Sequence, residues 1–93
     1  MILHKFVSSP FSCQTIDQTI SRISVEDAVI LMEDAVYVLN DSKLLQALMN
    51  ATDNVHVLES DAKARGVSVS KVRNINYLEL VDLVIDHDNV IAW

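Results

Sequence analysis

Apolar and polar positions change their period several times along this chain. Residues 2–7 alternate as in a strand, with Ile2, His4 and Phe6 on one face and Leu3, Lys5 and Val7 on the other. Ser8-Ser9-Pro10 breaks that pattern. From Ser12 the spacing turns helical: Ile16, Ile20 and Ile23 form a stripe, and Asp17, Gln18 and Arg22 face outward. Asp27 to Met32 is a short, nearly continuous apolar run that suits a strand buried on both faces. Helical spacing returns over Ala35 to Leu39. It resumes after Asn40-Asp41-Ser42 with Leu44, Leu45, Leu48 and Met49, where Asp41 or Ser42 can serve as N-cap.

Val55 to Leu58 predicts a third strand, and Ser60 to Arg65 a short helix that stops at Gly66, the only glycine. Val72 to Ile75 predicts a short fourth strand, Asn76 to His87 the last helix, and Val90 to Trp93 a fifth strand. Strands alternating with helices at this spacing predict an α/β fold. The expected architecture is one three-layer α/β/α domain over residues 1–93, with a mainly parallel sheet of about five strands.

The last helix carries more apolar surface than one sheet face can use. Tyr77, Leu78, Leu80, Val81, Leu83, Val84 and Ile85 are all apolar, while Glu79, Asp82 and Asp86 fall on one narrow acidic stripe. A helix lying on a sheet needs an apolar arc of somewhat over ~100°. The surplus flank packs either on a neighbouring helix or on another subunit, and we favour the second. Trp93 closes an apolar run, and an indole left in water wastes a large apolar surface, so docking in the core or on another chain is expected. Tyr77, Leu80, Val84 and Trp93 are accordingly assigned to a partner interface.

Composition points the same way. Of the 93 residues, 51% are apolar, and the mean hydropathy is +0.26. So small a domain buries only about 60–65% of its unfolded surface, which leaves apolar area for an interface. Thirteen acids against seven bases give a net charge of −6. Nucleic-acid affinity rests on cations that neutralise phosphates, so this chain is not expected to grip RNA or DNA directly. Lys63, Arg65, Lys71 and Arg73 form the one basic cluster, read as a solvated edge. The apolar runs are far short of the roughly 18–20 residues of a membrane span, and the opening lacks the form of a signal peptide. A cytoplasmic setting is expected.

Reactive constellations are scarce. Glu26-Asp27 and Glu33-Asp34 flank a buried strand but read as solvated strand-end acids with no second catalytic group beside them. His4, His56 and His87 show no metal-ligand spacing, and His4 and His56 read as satisfied strand histidines. No phosphate-binding glycine loop is present, so no cofactor or metal is expected. Cys13 is the one candidate nucleophile, near a helix start that favours a thiolate, yet it has no basic neighbour.

Several short segments together resemble the TusB/DsrH family. They are Met1-Ile2-Leu3-His4 with Ser9-Pro10-Phe11, then Leu31-Met32-Glu33-Asp34-Ala35-Val36-Tyr37. Val57-Leu58 with Asp61 and Ala64-Arg65-Gly66 follow, and Ala92-Trp93 closes the set. The likeness covers essentially the whole chain. It departs at position 35, alanine where relatives often carry glycine, and at Cys13, which does not match the cysteine of some DsrH-type members. The resemblance implies a DsrE-like fold and the role of a non-catalytic B subunit in a TusBCD-type complex. Such a complex holds two copies each of three related subunits and relays persulfide sulfur toward 2-thiolation of the wobble uridine in tRNA. The active cysteine would then belong to the D-type partner, which passes sulfur to a further carrier protein. Three alternatives stay open: a DsrH-type subunit in dissimilatory sulfur oxidation, a free-standing sulfur-transfer protein using Cys13, and a ligand-binding module with its crevice near Ser8, Ser9 and Glu33.

Overall fold

The computed structural model describes residues 1–12, 14–69 and 72–93. Five strands, β1 (Ile2–Phe6), β2 (Ala28–Leu31), β3 (Val55–Leu58), β4 (Arg73–Ile75) and β5 (Asn89–Ala92), form one sheet in the order β4-β3-β2-β1-β5. Every pairing is parallel, as the alternation of strands and helices predicts. Among the described residues the α-helices are α1 (Thr15–Thr19), α2 (Ser42–Ala51), α3 (Glu59–Ala64) and α4 (Tyr77–Ile85). Two 3-10 segments, Ile20–Arg22 and Glu33–Asn40, complete the set.

The chain steps from β1 to β4 in one direction and then returns past three strands to place β5 beside β1. Parallel crossovers are right-handed, so reversing the direction of travel moves the connecting helix to the opposite face. The residue clusters follow this rule. Phe6, Val29, Leu31, Val55 and Val57 pack on one face with residues of α1, α2, α3 and the long 3-10 segment. Leu3, Ala28, Ile30, Leu58 and Ile75 point to the other face and meet Leu80 and Leu83 of α4. A helix about 10 Å wide covers only part of a five-stranded sheet about 19 Å across. One face is thus packed by several elements and the other by a single helix.

Local chemistry fixes most boundaries. The Asp41 side chain accepts from Leu44 N–H at 3.1 Å and caps α2. Asn76 and Glu79 form a reciprocal capping box at the start of α4. Gly66 takes a left-handed φ of 66° just after α3, the conformation expected of a helix-stopping glycine. The segment expected to be helical over Ala35 to Leu39 is a 3-10 helix instead. Three residues per turn stack Ala35 over Val38, both buried, which suits its short apolar repeat.

Candidate functional site

Asp27, the residue before β2, is buried rather than solvated, which corrects the sequence reading. Its carboxylate accepts from Ile2 N–H and Ser24 N–H, each at 3.0 Å, and lies 2.8 Å from His4 Nε2. Burial by itself would raise the Asp27 pKa. The hydrogen bonds from His4, Ser24 and Ile2 outweigh it and hold the carboxyl below the ordinary aspartate value.

His4 is only 1% exposed, and its other ring nitrogen is also engaged. Trp93 Nε1–H donates to His4 Nδ1 at 3.1 Å. An indole nitrogen can only donate, so Nδ1 is the acceptor and the proton sits on Nε2, facing Asp27. Trp93 N–H also donates to the Lys5 carbonyl at 2.9 Å, and the Arg22 guanidinium lies 5.9 Å from the indole centroid. Here Trp93 is docked within its own chain. An Asp–His pair can orient a general base, but a base needs a ring nitrogen free to meet substrate. Both nitrogens of His4 are occupied, so this triad locks β1, β2 and the segment after β5 together.

The opposite face carries a different arrangement. His56 and Arg73 are register partners on β3 and β4, pointing toward α4. With Ile75, Glu79, Asp82 and Asp86 they line an open groove of about 530 Å³. His56 is 7% exposed, and among the described residues its Nδ1 has no hydrogen-bond partner. The sequence reading of a satisfied histidine holds for His4 and fails for His56. Burial lowers the His56 pKa, the Arg73 and His87 charges add to this, and Glu79 opposes it, so the ring is kept neutral.

The residues assigned to an interface divide. Tyr77 and Val84 are exposed, whereas Leu80 and Trp93 are half-buried against the core. The outermost side chains of α4 are Leu78, 78% exposed, and Ile85, 73% exposed, with Val81 beside them. Cys13 and Lys71 lie outside the described residues. Among the described residues no three His, Cys, Asp or Glu side chains converge as metal ligands, and no helix is long and apolar enough to cross a membrane.

The segments that carry the family likeness are bonded to one another. Glu33 takes a left-handed φ of 48°, and its N–H donates to Asp61 at 2.7 Å. Arg65 Nε donates to Asp34 at 2.9 Å, and Arg65 Nη1 donates to the Asp61 carbonyl. His4 and Trp93 join the first and last segments. Ala35 is fully buried, and the left-handed residue is Glu33, two positions before it.

Residues 8–90 match the family model described as DsrH like protein. The chain belongs to the DsrH family. Among its similar relatives, Protein TusB of Yersinia enterocolitica is 33% identical, over 91% of this chain and 93% of that protein. Protein TusB of Erwinia tasmaniensis is 29% identical over 99% of this chain and the whole of that protein. Of solved structures, Tm0979 from Thermotoga maritima superposes with a TM-score of 0.70 at 26% identity, covering 95% of each chain. The ychN protein of E. coli gives a TM-score of 0.74 over 99% of this chain and 97% of that one; at 17% identity it speaks for the fold alone.

Proposed function

We propose that this chain is a structural, non-catalytic subunit of a TusBCD-type sulfur-relay complex that serves 2-thiolation of the wobble uridine in tRNA. The observation that carries the reading is identity of about 30% to proteins named TusB along nearly the full length. Three physical features support it. The buried Asp27–His4 pair is closed off by Trp93. The charge of −6 is unsuited to holding tRNA directly. The α4 face leaves large apolar side chains in water.

In this reading the chain forms one domain, works in the cytoplasm and assembles with related C-type and D-type subunits, two copies of each. Sulfur rides on the D-type cysteine and leaves on a downstream carrier. Tyr77, Leu80, Val84 and Trp93 lie at or beside the subunit contacts. The test is genetic and chemical together. Deleting the gene should abolish 2-thiouridine in tRNA, measured by mass spectrometry of nucleosides, and both the wild-type gene and Cys13→Ser should restore it. Failure of Cys13→Ser alone, with the protein folded, would turn the reading to a sulfur-transfer protein using Cys13.

A second reading is favoured by the family model itself, which describes a DsrH like protein. There the chain is a subunit of a DsrEFH complex in dissimilatory sulfur oxidation. Normal tRNA thiolation in the deletion strain, with loss of sulfur oxidation, would select it.

A further inference from the structure

We propose that α4 docks a different protein chain, one presenting an apolar helix face edged by lysine or arginine, and that Asp82 and Asp86 select it. The inference rests on the subunit reading above and deepens it by naming the surface and its chemistry. Around the helix, Leu80 and Leu83 face the sheet, and Leu78, Val81 and Ile85 lie on the far side, exposed. Five exposed apolar side chains on nine residues, the three just named with Tyr77 and Val84, make a continuous patch of the kind that marks an interface.

Charge decides what covers it. Glu79, Asp82 and Asp86 all line the groove along one flank of the patch. Glu79 is used in the helix cap, but among the described residues no cation lies within ion-pair distance of Asp82 or Asp86. Covering the patch brings these carboxylates into a poorly solvated rim, where an unmatched charge is costly. A second copy meeting this face with its own would bring the same excess of acid, because α4 contains no basic residue and Arg73 stands against Glu79, Asp82 and Asp86 in the groove lining. Antiparallel helices related by a two-fold axis would set acid against acid, and parallel ones would set acid against apolar side chains. Charge therefore favours a different sequence as the source of the matching cations. His56, buried beneath the same groove with Nδ1 unpartnered, belongs to a face that its own chain leaves incomplete.

The experiment uses the full chain with purified C-type and D-type subunits. Leu78→Asp and the double variant Asp82→Lys with Asp86→Lys change exposed positions. Circular dichroism and melting of each variant alone verify that the fold is kept. Each should weaken the complex at least about tenfold, as expected for the centre and the charged rim of an interface. The loss in the lysine variant should shrink in high salt. A wild-type complex that both variants join with unchanged affinity overturns this inference and leaves the subunit reading standing. A homodimer of the isolated chain that Leu78→Asp dissolves overturns it in favour of a second copy. No complex between the wild-type chain and those subunits overturns both.

Discussion

His4 and His56 are the same residue type on one sheet, both buried, and the molecule treats them oppositely. His4 lies on the face packed by three helices and a long 3-10 segment, where both of its ring nitrogens find partners. His56 lies on the face where, among the described residues, α4 is the covering helix, and its Nδ1 finds no partner among them. The difference is one of coverage rather than of residue. Several elements converging on one face can bring Asp27 and Trp93 to a single imidazole. One helix crossing the other face cannot, and its acids line the far side of a groove. A satisfied polar network marks a finished surface, and an orphaned imidazole beneath exposed apolar side chains marks an unfinished one.

The strongest way to break this comparison is at Asp27. Its carboxylate takes three donors, and the amide of Asp27→Asn would turn a donor toward at least one of them. We expect a loss of about 3 kcal/mol in unfolding free energy, the scale of a disrupted buried charged hydrogen-bond network. The effect should depend on pH in a defined sense. The folded pKa of Asp27 is depressed, so its contribution is present above the ordinary aspartate value and is lost as pH falls through the depressed one. Urea unfolding of both proteins should give curves that converge in acid. A variant as stable as wild type at neutral pH would mean that the network contributes nothing. Trp93→Phe comes next. It keeps the half-buried ring but removes the N–H that serves His4 Nδ1, so about 1–2 kcal/mol should be lost.

These two predictions concern contacts that the sequence conceals. Period and length were enough for the five strands and for the parallel α/β fold, because β2 is apolar on both faces, β3 is so except at His56, and the helices keep their stripes. The acidic stripe of α4 was also legible, since Glu79, Asp82 and Asp86 needed only helical spacing to fall together. Asp27 beside Glu26 looked like a solvated strand end, because its partner His4 stands 23 positions away and Trp93 stands 89 positions from His4. Pairings of that range depend on strand order, which periodicity does not carry. Glu33 shows the same limit locally: no residue type announces a left-handed glutamate whose N–H is held by Asp61. The family likeness marked these residues without their contacts, and the structure supplies the bonds that tie the marked segments together.

On the unfinished face the expected sign reverses. His56→Leu replaces an orphaned polar group with an apolar one of similar size, and should raise stability by about 1 kcal/mol at neutral pH. Acid should widen the gap. The unfolded chain protonates His56 below about 6.5, while the buried native ring resists, so wild type loses stability as pH falls from there toward the lowered folded value. His56→Leu lacks that loss. Thermal unfolding of both proteins from pH 8 to pH 5 reads the difference directly. A destabilised variant with an unchanged pH slope would mean that His56 is as well served as His4, and the contrast between the faces would fail.

The smallest effect tests why the His4 network matters at all. Arg65 Nε meets Asp34 at 2.9 Å, almost the same separation as the 2.8 Å between His4 and Asp27. Asp34 is largely exposed, however, so water and salt compete for its charge and both side chains lose freedom on pairing. A double-mutant cycle with Asp34→Ala and Arg65→Ala should give a coupling too small to resolve at physiological salt. The same cycle with Asp27→Asn and Trp93→Phe, whose side chains are joined through His4, should give a clear one. Equal couplings would show that bond length rather than exclusion of water sets the strength of these contacts. Coverage would then no longer explain why one histidine is built into the fold and the other is left waiting beneath α4.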